Sequence, residues 1–144
     1  MVKNLSFILF LLAFTASTFA QSKDAVLGKW LNAAAEGQIE IYKRGDKYFG
    51  KLVWIKEPND KSGKPKTDQK NPNANLRSKP ILGLEILKDF VFEEGRWTGG
   101  SVYDPKTGKT YSCNLSLKED GQLNMRGYIG VSLIGRSESW KRVK

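Results

Sequence analysis

The chain has 144 residues, 24 Lys and Arg against 15 Asp and Glu, one Cys and no His. Without imidazole there is no Ser-His-Asp or Cys-His catalysis and no His-built metal site. One thiol makes neither a Cys-only zinc cluster nor an internal disulfide.

The chain starts with the short positive stretch Met1-Val2-Lys3-Asn4. Leu5 to Phe14 is apolar except for Ser6, and Thr15-Ala16-Ser17-Thr18-Phe19-Ala20 follows. This is the pattern of a secretory signal peptide cleaved after Ala20. Its apolar run of about ten residues is half of what a bilayer span requires. The expectation is a signal peptide over residues 1–20 and one domain over 21–144. The mature form would carry no transmembrane span and would be exported, to the periplasm of a Gram-negative bacterium or beyond. Cleavage removes one charge, Lys3, and no Cys stands at the cleavage site to accept a lipid.

From Gly28 onward the pattern is strands and turns. Strands are expected at Gly28–Asn32, Ile39–Lys43, Lys47–Ile55, Leu84–Phe92, Arg96–Tyr103, Thr110–Leu117, Gln122–Tyr128 and Ser137–Val143. Thr110–Leu117 is the clearest: Tyr111, Cys113, Leu115 and Leu117 alternate with Thr110, Ser112, Asn114 and Ser116. Cys113 is therefore expected to point inward and stay reduced. Arg44-Gly45-Asp46, Glu93-Glu94-Gly95, Asp104-Pro105-Lys106-Thr107-Gly108 and Glu119-Asp120-Gly121 supply turns. About eight short strands with close turns make an all-β antiparallel sandwich or barrel.

Residues 56–80 interrupt the rhythm. They hold four of the five prolines, with Lys56, Lys61, Lys64, Lys66, Lys70, Arg77 and Lys79 against Glu57, Asp60 and Asp68. A structureless loop of this length is uncommon in a compact domain, so an ordered excursion over a barrel end is expected. Asn71-Pro72 provides an N-cap and a first-turn proline for one short helical turn. Asp60, Ser62 and Gly63 lack the ligand ladder and terminal Glu of a calcium loop. No metal and no cofactor is expected.

Candidate functional residues fall into two groups. Gly28-Lys29-Trp30 opens the first strand. This Gly-x-Trp resembles the signature of lipocalin-like barrels, and the resemblance implies that Gly28 and Trp30 build one barrel end with a guanidinium from the last strand, which supplies Arg136 and Arg142, over the indole. Tyr48 and Trp54 share a parity on one strand. With Tyr103 they could line a cavity where Arg77 and Arg126 would pair an anionic head. The same rings could instead simply fill a small barrel. Glu40, Glu57, Glu85 and Asp104 show no spacing that defines a catalytic pair. Nucleic acid is not an expected partner, because the basic residues are not interleaved with stacking aromatics. The sequon Asn114-Leu115-Ser116 lies inside the best strand.

Several motifs then line up: Trp54-Ile55-Lys56-Glu57-Pro58, Gly63-Lys64-Pro65, Thr67-Asp68 and Asn71-Pro72. They continue through Leu76-Arg77-Ser78-Lys79-Pro80-Ile81-Leu82-Gly83-Leu84, Tyr103-Asp104-Pro105, Gly108-Lys109-Thr110-Tyr111, Arg126-Gly127-Tyr128-Ile129-Gly130 and Gly135-Arg136. Together they resemble the bacterial family called domain of unknown function 2147, over about Asp24 to Val143. The resemblance implies a small exported barrel of the calycin or lipocalin-like type and carries no activity or ligand with it. Many relatives carry two cysteines near the second turn; Lys43 and Phe49 stand about there, so no such clip is expected. Two functions follow from this reading. One is binding of a small apolar or amphipathic molecule, such as a lipid, inside the barrel. The other is contact of the basic 56–80 loop with an anionic envelope polymer or partner, around a filled barrel.

Overall fold

The computed structural model describes residues 22–128 and 135–144, so the expected leader lies outside the described residues. Eight strands follow in chain order: β1 (Gly28–Leu31), β2 (Gly37–Arg44), β3 (Lys47–Ile55), β4 (Glu85–Glu93), β5 (Arg96–Asp104), β6 (Lys109–Leu117), β7 (Leu123–Tyr128) and β8 (Gly135–Arg142). Each pairs antiparallel with the next, and β8 returns to β1 with Arg142 opposite Trp30, closing a barrel. Period-two patterning placed every strand to within one or two residues at each end, because one face of each is buried.

The inward positions are large and apolar. Ile39, Ile41, Tyr48, Leu52, Leu87, Phe90, Trp97, Cys113, Leu115, Leu123, Met125 and Trp140 are all buried. Each fully buried aliphatic or aromatic side chain stabilises the fold by roughly 1.5–3 kcal/mol. Cys113 is a free thiol inside this set, and burial pushes its pKa up to about 12. The interior is closely filled at mid-barrel. A Cβ built on Gly50 would meet Leu87 at 2.8 Å, and one on Gly100 would meet the Phe90 ring at 2.5 Å. These two glycines make room for those side chains.

One irregularity decides what faces out. β2 pairs Ile39 with Leu52 but Gln38 with Trp54, so Val53 is an extra residue in β3. Such a bulge reverses the parity beyond it. Trp54 therefore leaves the inward face it would share with Tyr48 and is 41% exposed, while Ile55 packs against the core. The strict alternation expected for β3 fails at this residue. Nor do Lys43 and Phe49 oppose each other across the β2–β3 hairpin. Phe49 pairs with Tyr42, their rings stack at 6.1 Å, and the Arg44 guanidinium covers Phe49 at 3.8 Å.

The two ends of the barrel differ. The tight turns after β2, β4 and β6 lie at one end, together with residues 22–27. There Val26, Trp30, Trp97 and Leu123 have no exposed surface. The indoles of Trp30 and Trp97 donate to the carbonyls of Val26 and Lys23, each at 2.9 Å, and the Tyr48 hydroxyl donates to Asp24 at 2.8 Å. Arg142 donates to the carbonyls of Leu27 (2.9 Å) and Ala25 (2.6 Å), and its guanidinium lies 4.2 Å from the Trp30 ring centre. Gly28, at φ 122°, leaves that guanidinium its space; a Cβ there would lie 3.0 Å from Nη1. This end is closed by the segment leading into β1. The turns after β1 and β5 and the long excursion between β3 and β4 lie at the other end.

Candidate functional site

The excursion is built from small local pairings. Asn59 bridges Pro65 and Thr67 bridges Pro80, while the Ile81 amide donates to the Lys66 carbonyl. Asp60 Oδ1 accepts from the amides of Ser62 and Lys64 and from the Ser62 hydroxyl, which closes a tight turn. The short helical turn is the 3-10 segment Ala74–Leu76, capped by Asn73. It begins two residues later than the Asn71-Pro72 reading. Asn71 accepts from the Asn73 amide instead and forms a turn just ahead of it.

Asp68 fastens this excursion to the barrel. It is fully buried, the one such charged side chain among the described residues. Its two carboxylate oxygens accept from the Tyr103 hydroxyl at 2.6 Å and the Asn71 amide at 2.8 Å. Burial and this acceptor push the Tyr103 phenol up to about 12. Beside it, the Lys70 carbonyl presses on Gly108 so closely that a Cβ there would lie 2.0 Å away. The loop is therefore seated on the β5–β6 turn.

Between the two lies a cleft of about 280 Å³, lined by Lys66, Lys70 and Lys106 with Asp60, Thr67, Gln69, Ile81 and Pro105. Lys106 is 2.5 Å from Glu36, and this hydrogen bond raises the lysine's pKa and lowers the glutamate's. Lys66 lies 3.7 Å from Glu57. Lys61, Lys64, Lys70 and Lys79 are exposed and make no ion pair with a described residue. The chemistry on offer is attraction and hydrogen-bond donation to anionic oxygens. Among the described residues no group of His, Cys, Asp or Glu could hold a metal ion.

The five residues considered for a ligand cavity do not meet in one. Tyr48 is in the core at the closed end. Trp54 is on the outer wall, turned there by the bulge. Arg126 is half-buried and reaches Ser137 at 3.4 Å, at a register position between inward Met125 and Gly127 that faces outward. Tyr103 and Arg77 do share the loop end: Arg77 donates to the Asn71 carbonyl at 2.7 Å, next to the Asp68 anchor. In the other group, Gly28, Trp30 and Arg142 converge at the closed end. Arg136 does not: it pairs with Gly127 near the opposite end, and its side chain is 88% exposed, 3.9 Å from Glu138.

Sequence reasoning did not single out Asp68, Lys70 or Lys106 as site residues. The available signal was Thr67-Asp68 three residues ahead of Asn71-Pro72, a spacing that lets one side chain cap the next turn. What the sequence could not supply was the tyrosine from β5.

The family described as an uncharacterised protein conserved in bacteria, DUF2147, matches residues 28–142. No curated protein matches the chain. Among solved structures, protein HP1028 from the human pathogen Helicobacter pylori, described as belonging to the lipocalin family, is similar in fold. Its TM-score is 0.71 at 21% identity, and 82% of each chain is covered.

Proposed function

The chain belongs to the DUF2147 family and folds as a lipocalin-like barrel. We propose that it is an exported binding protein that takes an anionic envelope component at the loop-covered end of a filled barrel. The observation that carries this is the seating of residues 56–84 by Asp68 and Tyr103. It holds Lys61, Lys64, Lys70 and Lys79 in water, free of ion pairs with described residues. A loop built only for solubility needs no such anchor. Fixed cations bind an anion at a smaller ordering cost than mobile ones do.

A second reading keeps a small amphipathic ligand. Toward the loop end of β5–β8, Val102, Tyr111 and Gly127 are only half-buried although they occupy inward positions, and Glu138 beside them accepts from the Trp140 indole at 3.1 Å. Any ligand there would be small, since Phe90 and Leu87 fill mid-barrel.

The test of the first reading is calorimetric titration of the chain from Gln21 onward with inorganic polyphosphate. Charge reversal at Lys64, Lys70 and Lys79 should abolish a salt-sensitive binding isotherm without altering the melting curve. An unchanged isotherm, or none in the parent, overturns it. Export is checked by the mass of the protein recovered from the periplasm, which should begin at Gln21.

A further inference from the structure

We infer that the loop end docks on an anionic lipid bilayer, with Trp54, Leu76 and Leu82 entering the headgroup layer while the surrounding lysines and arginine meet lipid phosphates. This rests on the reading of that end as an anion-binding surface and names its partner.

Three large apolar side chains stand exposed among the described residues: Trp54 at 41%, Leu76 at 39% and Leu82 at 49%. All three belong to the excursion or its root. Trp54 sits at the last turn-facing positions of β3. The Gly83 amide donates to the Leu52 carbonyl at 2.7 Å, which brings Leu82 back beside that end of β3. Leu76 ends the 3-10 turn of the same loop. Among the described residues, neither the outer wall elsewhere nor the closed end shows another. Scattered exposed leucines are ordinary, but here all three large exposed apolar side chains among the described residues gather at one end, and exposed apolar surface concentrated in that way marks an interaction site.

Charge points the same way. Lys56, Lys61, Lys64, Lys70, Arg77 and Lys79 are exposed in this excursion, and one of its three acids, Asp68, is buried. The tight turns at the opposite end are nearly balanced, with exposed Asp46, Glu93, Glu94, Glu119 and Asp120 beside exposed Arg44, Lys47, Arg96 and Lys118, so the excess of positive charge sits at the loop end. A negative surface therefore orients the molecule with the loop end toward it. A soluble polyanion would use the cations and leave Trp54, Leu76 and Leu82 in water. An interface accepts both, because tryptophan prefers the headgroup level and basic residues pair with anionic lipids.

The experiment uses the chain from Gln21 with vesicles of phosphatidylglycerol and phosphatidylcholine, against phosphatidylcholine alone. Trp30, Trp97 and Trp140 are buried, so a blue shift of indole emission on adding vesicles reports Trp54. The expected result is co-sedimentation and a blue shift with anionic vesicles only. Trp54→Ser or the pair Leu76→Ser, Leu82→Ser should weaken vesicle binding roughly tenfold and leave polyphosphate binding unchanged. Each of Lys64, Lys70 or Lys79 changed to Gln should weaken it about fivefold. If Trp54→Ser lowers the melting temperature, the leucine pair decides. Polyphosphate binding without vesicle binding, or vesicle binding indifferent to the apolar variants, overturns bilayer docking and leaves the anion-binding reading standing. Absence of both overturns the two together.

Discussion

The Tyr103 hydroxyl donates to Asp68 at 2.6 Å, and through this bond a strand of the barrel holds the long excursion at its fully buried carboxylate. Tyr103→Phe removes the donor and leaves Asp68 with Asn71 alone on its side-chain oxygens. An under-satisfied buried carboxylate costs about 1–3 kcal/mol or more. The loss should fall on the loop first, since the barrel strands keep their ladders. Limited trypsin digestion is the measurement: in residues 56–80 Lys56, Lys61, Lys66, Lys70 and Arg77 are cleavable, whereas Lys64 and Lys79 precede prolines, and Tyr103→Phe should be cut there well before the barrel is lost. Equal digestion of both proteins would mean that Asp68 does not hold the loop.

At the other end, Arg142 does two things to the segment ahead of β1. It covers the Trp30 ring at 4.2 Å and binds the carbonyls of Ala25 and Leu27. Trp30→Ala should cost about 3–5 kcal/mol, as truncation of a buried indole does. Arg142→Ala should cost about 1–3 kcal/mol, because two carbonyls lose a charged donor and a cation–π contact goes with them. Arg136→Ala, an exposed change, should stay within about 0.5 kcal/mol. Urea unfolding of the three variants checks the order.

Those two arginines also mark how far the sequence could be read. The period-two pattern was strong enough to place eight strands, since a one-residue slip in any of them would turn its apolar set outward. Choosing between Arg136 and Arg142 required the β8 register: six residues apart on one strand, they stand near opposite ends of the barrel. Trp54 was misplaced because an extra residue in one strand leaves no mark in its own alternation; the bulge exists only against β2. The excursion was hardest. Its order comes from side chains capping nearby backbone and from one tyrosine 35 positions away, neither of which is periodic.

Alkaline pH should loosen the barrel through its phenols. Tyr42, Tyr48 and Tyr103 are all pushed from 10.0 up to about 12, each first by burial and then by a carboxylate acceptor: Glu85, Asp24 and Asp68. The folded state favours the neutral phenol, so its contribution is whole below pH 10 and is lost as pH rises through about 12. Absorbance titration near the phenolate band should show three of the five tyrosines ionising about two units late in the native protein. The delay should vanish in denaturant. Stability measured by urea should be flat up to pH 10 on this account and fall beyond it. A native titration with no late component would contradict the hydrogen bonds of Tyr42, Tyr48 and Tyr103 to their carboxylates.

The state of the interior is best tested where the backbone yields to a ring. A Cβ on Gly100 would lie 2.5 Å from Phe90, which is itself 1% exposed and has Leu87 nearby on its own strand. In a filled barrel the ring has nowhere to go, so Gly100→Ala should cost about 1–3 kcal/mol from overpacking. Phe90→Leu should also cost on its own, through the volume it removes. Combined, the two should cost less than their sum, because the smaller side chain relieves the clash; a coupling of about 0.5–3 kcal/mol is the range for residues in contact. Urea unfolding of the parent, both single variants and the double variant closes the cycle. Simple additivity with a small penalty for Gly100→Ala would show that Phe90 can swing aside into open space. That outcome would favour a ligand chamber at mid-barrel over an anionic partner at the loop end.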